Sequence, residues 1–102
     1  MKKEQLYKQQ KQCDVVAEIG SNHNGCWETV LKMLDQISAV KADAAKFQYY
    51  RADRLYPENT YVADYLIGSG GIEKGTRIVD LLKKAEIPEE WLDDLVIQCE
   101  LR

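Results

Sequence analysis

Val15-Val16-Ala17-Glu18-Ile19-Gly20-Ser21-Asn22-His23-Asn24-Gly25 and, further along, Ala42-Asp43-Ala44-Ala45-Lys46-Phe47-Gln48 decide the fold of this chain. Each stretch holds a short apolar run, Val15 to Ile19 and Ala44 to Phe47, that ends in polar groups. A buried parallel strand delivers side chains to the open end of an α/β sheet or barrel in this way. Between the runs, Trp27 to Val40 sets Val30, Leu31, Leu34, Ile37 and Val40 at helical spacing, a stripe able to cover a sheet. The three segments predict a βαβ unit with two parallel strands.

Strand alternation decides which polar groups share a face. Lys46 and Gln48 are two apart and point the same way, whereas Phe47 points back toward helices. An ammonium and a carboxamide near the C-terminal end of a strand can hold an anion and a hydroxyl-rich neighbour. Glu18, near the end of the first run, offers a carboxylate either to sugar hydroxyls or to a structural pairing with Lys46. Charge and spacing leave both roles open, because a buried charge has to be paired in either case.

Asn22, His23 and Asn24 form a candidate pocket loop after the first strand. His23 is the only histidine, and no second His, Asp or Glu lies at a metal-ligand spacing from it, so the sequence assigns no metal site within this chain. Its imidazole is expected to hydrogen-bond within the loop and fix its shape, or to line the pocket. Gly25 is expected at a positive φ in the turn into the helix.

After Gln48 an irregular tyrosine-rich stretch from Tyr49 to Tyr61 runs toward the glycine cluster Gly68 to Gly75, which reads as a long loop with a flexible lid. The cluster lacks the Lys-Ser/Thr ending of a phosphate loop and the dinucleotide fingerprint. The tyrosines at 49, 50, 56, 61 and 65 are expected to pack this loop over the strand ends. Helical spacing returns with Ile78, Val79, Leu81, Leu82 and Ala85. It returns again after Pro88 with Trp91, Leu92, Leu95, Val96 and Cys99, where Pro88 suits a first turn and Glu89 and Glu90 complement the helix dipole. No third strand is expected.

Ala17-Glu18-Ile19-Gly20-Ser21-Asn22-His23-Asn24-Gly25 and Ala42-Asp43-Ala44-Ala45-Lys46-Phe47-Gln48 resemble the start of the sialic acid synthase (N-acetylneuraminate synthase) family. The resemblance implies a TIM barrel that condenses phosphoenolpyruvate with an N-acetylated hexose, such as N-acetylmannosamine, to a nonulosonic acid. It implies a divalent metal, manganese or magnesium, with its histidine ligands on later strands outside this chain. Residue by residue, Glu18 matches the carboxylate that contacts the acceptor sugar, Lys46 a phosphoenolpyruvate phosphate ligand, and Gln48 a second sugar contact. Asn22, His23, Asn24 and Gly25 match the loop at the active-site mouth. The family's Ala-Gly-Ala-Asp before the second strand is replaced by Val40-Lys41-Ala42-Asp43. Glycine at such a helix exit reaches the left-handed conformation without steric cost, whereas lysine there costs about 1 kcal/mol.

A complete barrel of this kind takes on the order of 250 residues, and the chain has 102. The expected fold class is therefore α/β, an incomplete (β/α)8 barrel: the first two βα units, with a long second βα loop, over residues 13–102, preceded by a polar tail over 1–12. The remaining phosphate ligands and the family's C-terminal antifreeze-like domain fall outside. The isolated chain is expected to be inactive and to need the rest of the barrel or a homologous subunit, the complete enzyme being a homodimer. Two other classes fit the same residues: a non-catalytic assembly fragment, and another sugar-acting barrel enzyme such as an isomerase or aldolase.

Hydrophobic residues at 45%, charged residues at 30% and a net charge of −3 argue against disorder and against a nucleic-acid surface. Residues 1–12 carry four lysines, one glutamate and four glutamines, a solvated composition without the apolar core of a secretory signal. No apolar run approaches the roughly 20 residues that span a bilayer. Cys13, Cys26 and Cys99 follow no metal or redox spacing, which fits reduced thiols in the cytoplasm. Cys26 lies beside the candidate loop, but the sequence places no general base near it.

Overall fold

The parallel pairing read from the two apolar runs organises the computed structural model, which describes residues 13–102; the expected tail over 1–12 lies outside the described residues. Strand β1 (Val16–Gly20), helix α1 (Trp27–Ala39) and strand β2 (Ala44–Phe47) form the βαβ unit, followed by α2 (Ala52–Leu55), α3 (Ile78–Lys83) and α4 (Leu92–Glu100). Short 3-10 turns occupy Asp64–Leu66, Ser69–Gly71 and Glu89–Trp91. The described architecture is thus a small α/β unit with a two-stranded parallel sheet.

Val16 pairs with Ala44, Ala17 with Ala45 and Glu18 with Lys46, after which the register slips and Gly20 lies opposite Phe47. Alternation follows from this register. Ala17, Ile19, Ala45 and Phe47 turn toward the helices, whereas Val16, Glu18, Ala44 and Lys46 are exposed on the other face. The core gathers Ile19, Val30, Leu34, Ile87 and Leu95, closed by Trp27, Ile37, Phe47 and Trp91 among others. One side of the sheet is therefore packed by the chain itself, and the other stands open.

The end of α1 departs from the expected stripe. Val40 is 76% exposed, because the helix stops at Ala39 and the chain reverses there. Val40 is the C-cap, Lys41 takes φ +58°, and the amides of Lys41 and Ala42 donate to the carbonyls of Ser38 and Ile37 at 3.0 and 3.2 Å. This is a Schellman turn with lysine in the position that glycine usually fills. Asp43 then fastens the start of the sheet: its carboxylate accepts from the Val15 amide at 2.7 Å, and its own amide donates to the Val15 carbonyl at 2.8 Å.

Val96 is likewise exposed, since α4 meets the core along a narrower face centred on Leu95. Pro88, φ −60°, is the N-cap of the Glu89–Trp91 turn, one residue before the first-turn position expected for it. The stretch after Gln48 is less irregular than expected. It contains α2, whose Ala52 is fully buried, and its far end is tied down by Val62 donating to Thr76 at 3.0 Å and Ile78 donating to Thr60 at 2.9 Å. Arg77 braces the same place with bonds to Asp80 and Glu58. The tyrosines do not pack as expected: Tyr49, Tyr56, Tyr61 and Tyr65 are exposed. Tyr50 is anchored through its hydroxyl, which donates to the Leu82 carbonyl at 2.9 Å, and the Tyr49 hydroxyl accepts from Arg51 at 3.2 Å. The Arg51 guanidinium lies over the Tyr49 ring, 5.1 Å from its centroid. No helix among the described residues is long and apolar enough to cross a membrane.

Candidate functional site

Glu18 and Lys46 sit opposite each other in the sheet, and Nζ of Lys46 lies 3.2 Å from Oε2 of Glu18. Their side chains remain 48% and 64% exposed respectively, so this ion pair adds about 0–1 kcal/mol to stability. A fold has little need of such a pair, and an incoming anion can break it cheaply. Gln48 joins them from the residue after β2. Its amide donates to the Gly20 carbonyl at 3.2 Å, and its side chain, like that of Glu18, flanks the bare Cα of Gly20. A Cβ built on Gly20 would stand 3.0 Å from Oε1 of Glu18 and 3.6 Å from Oε1 of Gln48. An anionic, a cationic and a neutral amide group thus converge at the C-terminal end of two parallel strands.

The loop from Ser21 to Gly25 is a run of tight turns, with Asn22 donating to Ile19, Asn24 to Ser21 and Cys26 to His23 through backbone amides at 3.0–3.2 Å. Asn22 and Asn24 are exposed, and Asn24 takes φ +53°, a conformation that asparagine tolerates better than most residues. Asn22 lines a groove with Ala17 and Glu18 along β1.

His23 goes the other way. It is 1% exposed, its Nδ1 accepts from the Gly25 amide at 3.0 Å, and its ring meets Trp91 edge-on at 5.9 Å and Phe47 at 6.4 Å. Of the two roles expected for it, the structure shows the first, fixing the loop. With Nδ1 accepting, the neutral ring carries its proton on Nε2, which has no hydrogen-bond partner among the described residues. Burial lowers its pKa. Among the described residues no group of three His, Cys, Asp or Glu stands together as a metal site, and His23 faces aromatic rings. These residues do not fit a divalent metal.

Gly25 has φ +73°, and a Cβ there would come within 2.6 Å of the Lys84 carbonyl oxygen, so the loop rests directly on the end of α3. The Cys26 thiol lies 3.4 Å from the Glu28 carboxylate. That carboxyl is held below its ordinary pKa, first by a backbone hydrogen bond and then by the thiol, which makes it a poor base for activating cysteine.

Sequence reading missed two parts of the site. Gly20 gave a usable signal, since glycine at the end of an apolar strand marks a bulge or a close approach. Arg51 gave none: it donates to the Tyr50 and Ile87 carbonyls and to the Tyr49 hydroxyl at 3.2–3.3 Å, while Glu86 accepts from the Ala52 amide at 2.6 Å. Together they fasten the segment after Gln48 to the link between α3 and α4.

The family model for the NeuB family matches residues 33–102. The chain belongs to the NeuB family. The match takes in Lys46 and Gln48 and begins downstream of Glu18. Among curated relatives, the spore coat polysaccharide biosynthesis protein SpsE of Bacillus subtilis is 33% identical over 85 residues, 83% of this chain and 21% of its own length. The pseudaminic acid synthase of Campylobacter jejuni is 33% identical over 81 residues, 79% of this chain and 23% of its own. The N,N'-diacetyllegionaminic acid synthase of Legionella pneumophila is 33% identical over 78 residues, 76% of this chain and 21% of its own. This NeuB-family chain spans about a fifth of the length of the relatives it matches.

Proposed function

We propose that the chain forms the first two βα units of a TIM-barrel synthase that condenses phosphoenolpyruvate with an N-acetylated hexose, N-acetylmannosamine or a related sugar, to give a nonulosonic acid and phosphate. The convergence of Glu18, Lys46 and Gln48 on the open sheet face carries this reading, supported by family membership and by relatives named as nonulosonic acid synthases. Lys46 neutralises phosphate charge as phosphoenolpyruvate arrives, exchanging its solvent-exposed partner Glu18 for the ligand. Glu18, released from that pair, accepts hydrogen bonds from acceptor hydroxyls. Gln48 both donates and accepts, and so fixes the orientation of the sugar. Both contributions are positional, holding the two reactants within reach of each other.

The described residues do not hold the divalent metal of this reading, and its ligands belong to other parts of the barrel. The open sheet face is where the remaining strands close over the site. On this reading residues 13–102 supply substrate contacts without turnover of their own, and the whole enzyme works as a homodimer in the cytoplasm. Lys46→Ala, placed in the complete barrel, is expected to raise the Michaelis constant for phosphoenolpyruvate at least tenfold. An unchanged constant removes Lys46 from the site.

A further inference from the structure

The slip in register between the strands has a chemical use. β1 carries one residue more than β2 between the Glu18–Lys46 and Gly20–Phe47 pairs. The extra residue, Ile19, turns into the core at 4% exposure, and Gly20 follows it at φ +58°. A bulge of this kind bends its strand and re-aims the neighbouring side chains, and a left-handed residue within it favours glycine. Gly20 also accepts the Gln48 amide at 3.2 Å, so one residue sets the height of Gln48 and the direction of Glu18 together.

We propose that Gly20 is a positioning residue for the acceptor sugar, its missing Cβ leaving the space in which the Glu18 carboxylate and the Gln48 carboxamide converge. The inference rests on the reading of those two side chains as sugar contacts. The three atoms nearest to a Cβ built on Gly20 are Oε1 of Glu18 at 3.0 Å and Oε1 and Cδ of Gln48 at 3.6 and 3.7 Å; none belongs to Lys46. The nearest of them is the end of a flexible side chain, which yields by swinging away. A methyl at Gly20 therefore pushes on the Glu18 carboxylate and fills the space beside the Gln48 carboxamide at van der Waals distance, with no atom of Lys46 among its three nearest neighbours.

The test uses the complete synthase that contains this chain, as one polypeptide or with the partner that completes the barrel, assayed with phosphoenolpyruvate and N-acetylmannosamine or the sugar it turns over best. Glu18→Gln checks the underlying reading, and Gly20→Ala checks the inference. The expected result is an acceptor Michaelis constant raised at least tenfold in both variants, with that for phosphoenolpyruvate within twofold of the parent. Adding Glu18→Asp to Gly20→Ala, which draws the carboxylate back by one methylene, should recover part of the loss. If Gly20→Ala does not fold, Gly20→Asn takes its place, since asparagine tolerates the left-handed region and still carries the Cβ. A silent Glu18→Gln overturns the site reading and the inference with it. A raised constant in Glu18→Gln beside an unchanged one in the Gly20 variant, or equal rises for both substrates in the latter, overturns the inference alone.

Discussion

Replacing Lys41 with glycine should stabilise the chain. Lys41 holds φ +58° at the exit of α1, and its amide and that of Ala42 close the turn onto Ser38 and Ile37. A residue with a Cβ pays about 1–2 kcal/mol for the left-handed region. Glycine avoids that cost but loses more freedom on folding, which takes back about 0.5–1 kcal/mol. Removing a cation from a helix C-terminus costs about 0.3 kcal/mol more at an exposed position such as this. The balance runs from near zero to about 1.2 kcal/mol, centred on a gain of about 0.5 kcal/mol, and Tm moves by about 4–8 °C per kcal/mol for a domain of this size. Thermal unfolding of the 102-residue chain followed by far-ultraviolet circular dichroism measures it. Lys41→Ala is the control, because it removes the same charge and keeps the Cβ; it should leave Tm unchanged or slightly lower. If alanine stabilises as much as glycine, or glycine lowers Tm, backbone strain at this position is not what the lysine costs.

Two further expectations concern the loop that leads from the sheet into α1. Gly25→Ala combines left-handed strain with a 2.6 Å approach to the backbone carbonyl of Lys84, which no rotamer change relieves; the expected loss is about 3 kcal/mol in urea unfolding, and a loss under about 1 kcal/mol would show the loop shifting freely against α3. His23 titrates below its ordinary value of 6.5 in the folded chain because it is buried, so the unfolded chain binds the extra proton first as pH falls. Stability is then fully present above pH 6.5 and is lost as pH drops from there toward the folded pKa, by at most about 1.4 kcal/mol per pH unit. Comparing unfolding midpoints between pH 7.5 and pH 5.5 should give a slope that flattens in His23→Asn, and identical slopes for the two proteins would remove His23 as its source.

Local periodicity made the βαβ unit legible. Two apolar runs, a helical stripe and a strand alternation each repeat within a few residues, and the observed β1, α1 and β2 follow them to within a residue or so. The pairing of Glu18 with Lys46 was legible as one of two possibilities, and the strain at Lys41 was legible from the residue type expected at a helix exit. Burial was harder to read, because it depends on what lies opposite. Val40 and Val96 continue apolar patterns yet stand exposed, and four of the five loop tyrosines are largely exposed as well. The bulge at Ile19 was hidden because both strands read as unbroken alternation, and the slip appears only when one is laid against the other.

The two faces of the sheet divide the work of the chain. Ile19, Ala45 and Phe47 bury themselves against the helices, and His23 and Gly25 lock the loop on that same side. Glu18 and Lys46 look the other way, where their pairing contributes little to the fold. Substitutions at Lys41, Gly25 or His23 should therefore move stability while leaving both Michaelis constants of a complete enzyme near their parent values. Substitutions at Glu18, Lys46 or Gln48 should do the reverse. Gly20 belongs to both sets, since its backbone carries the bulge that seats Ile19 in the core and its missing side chain opens the space between Glu18 and Gln48. A variant that changes only the space at Gly20, with the left-handed backbone preserved, is consequently the one that separates folding from substrate recognition in this segment.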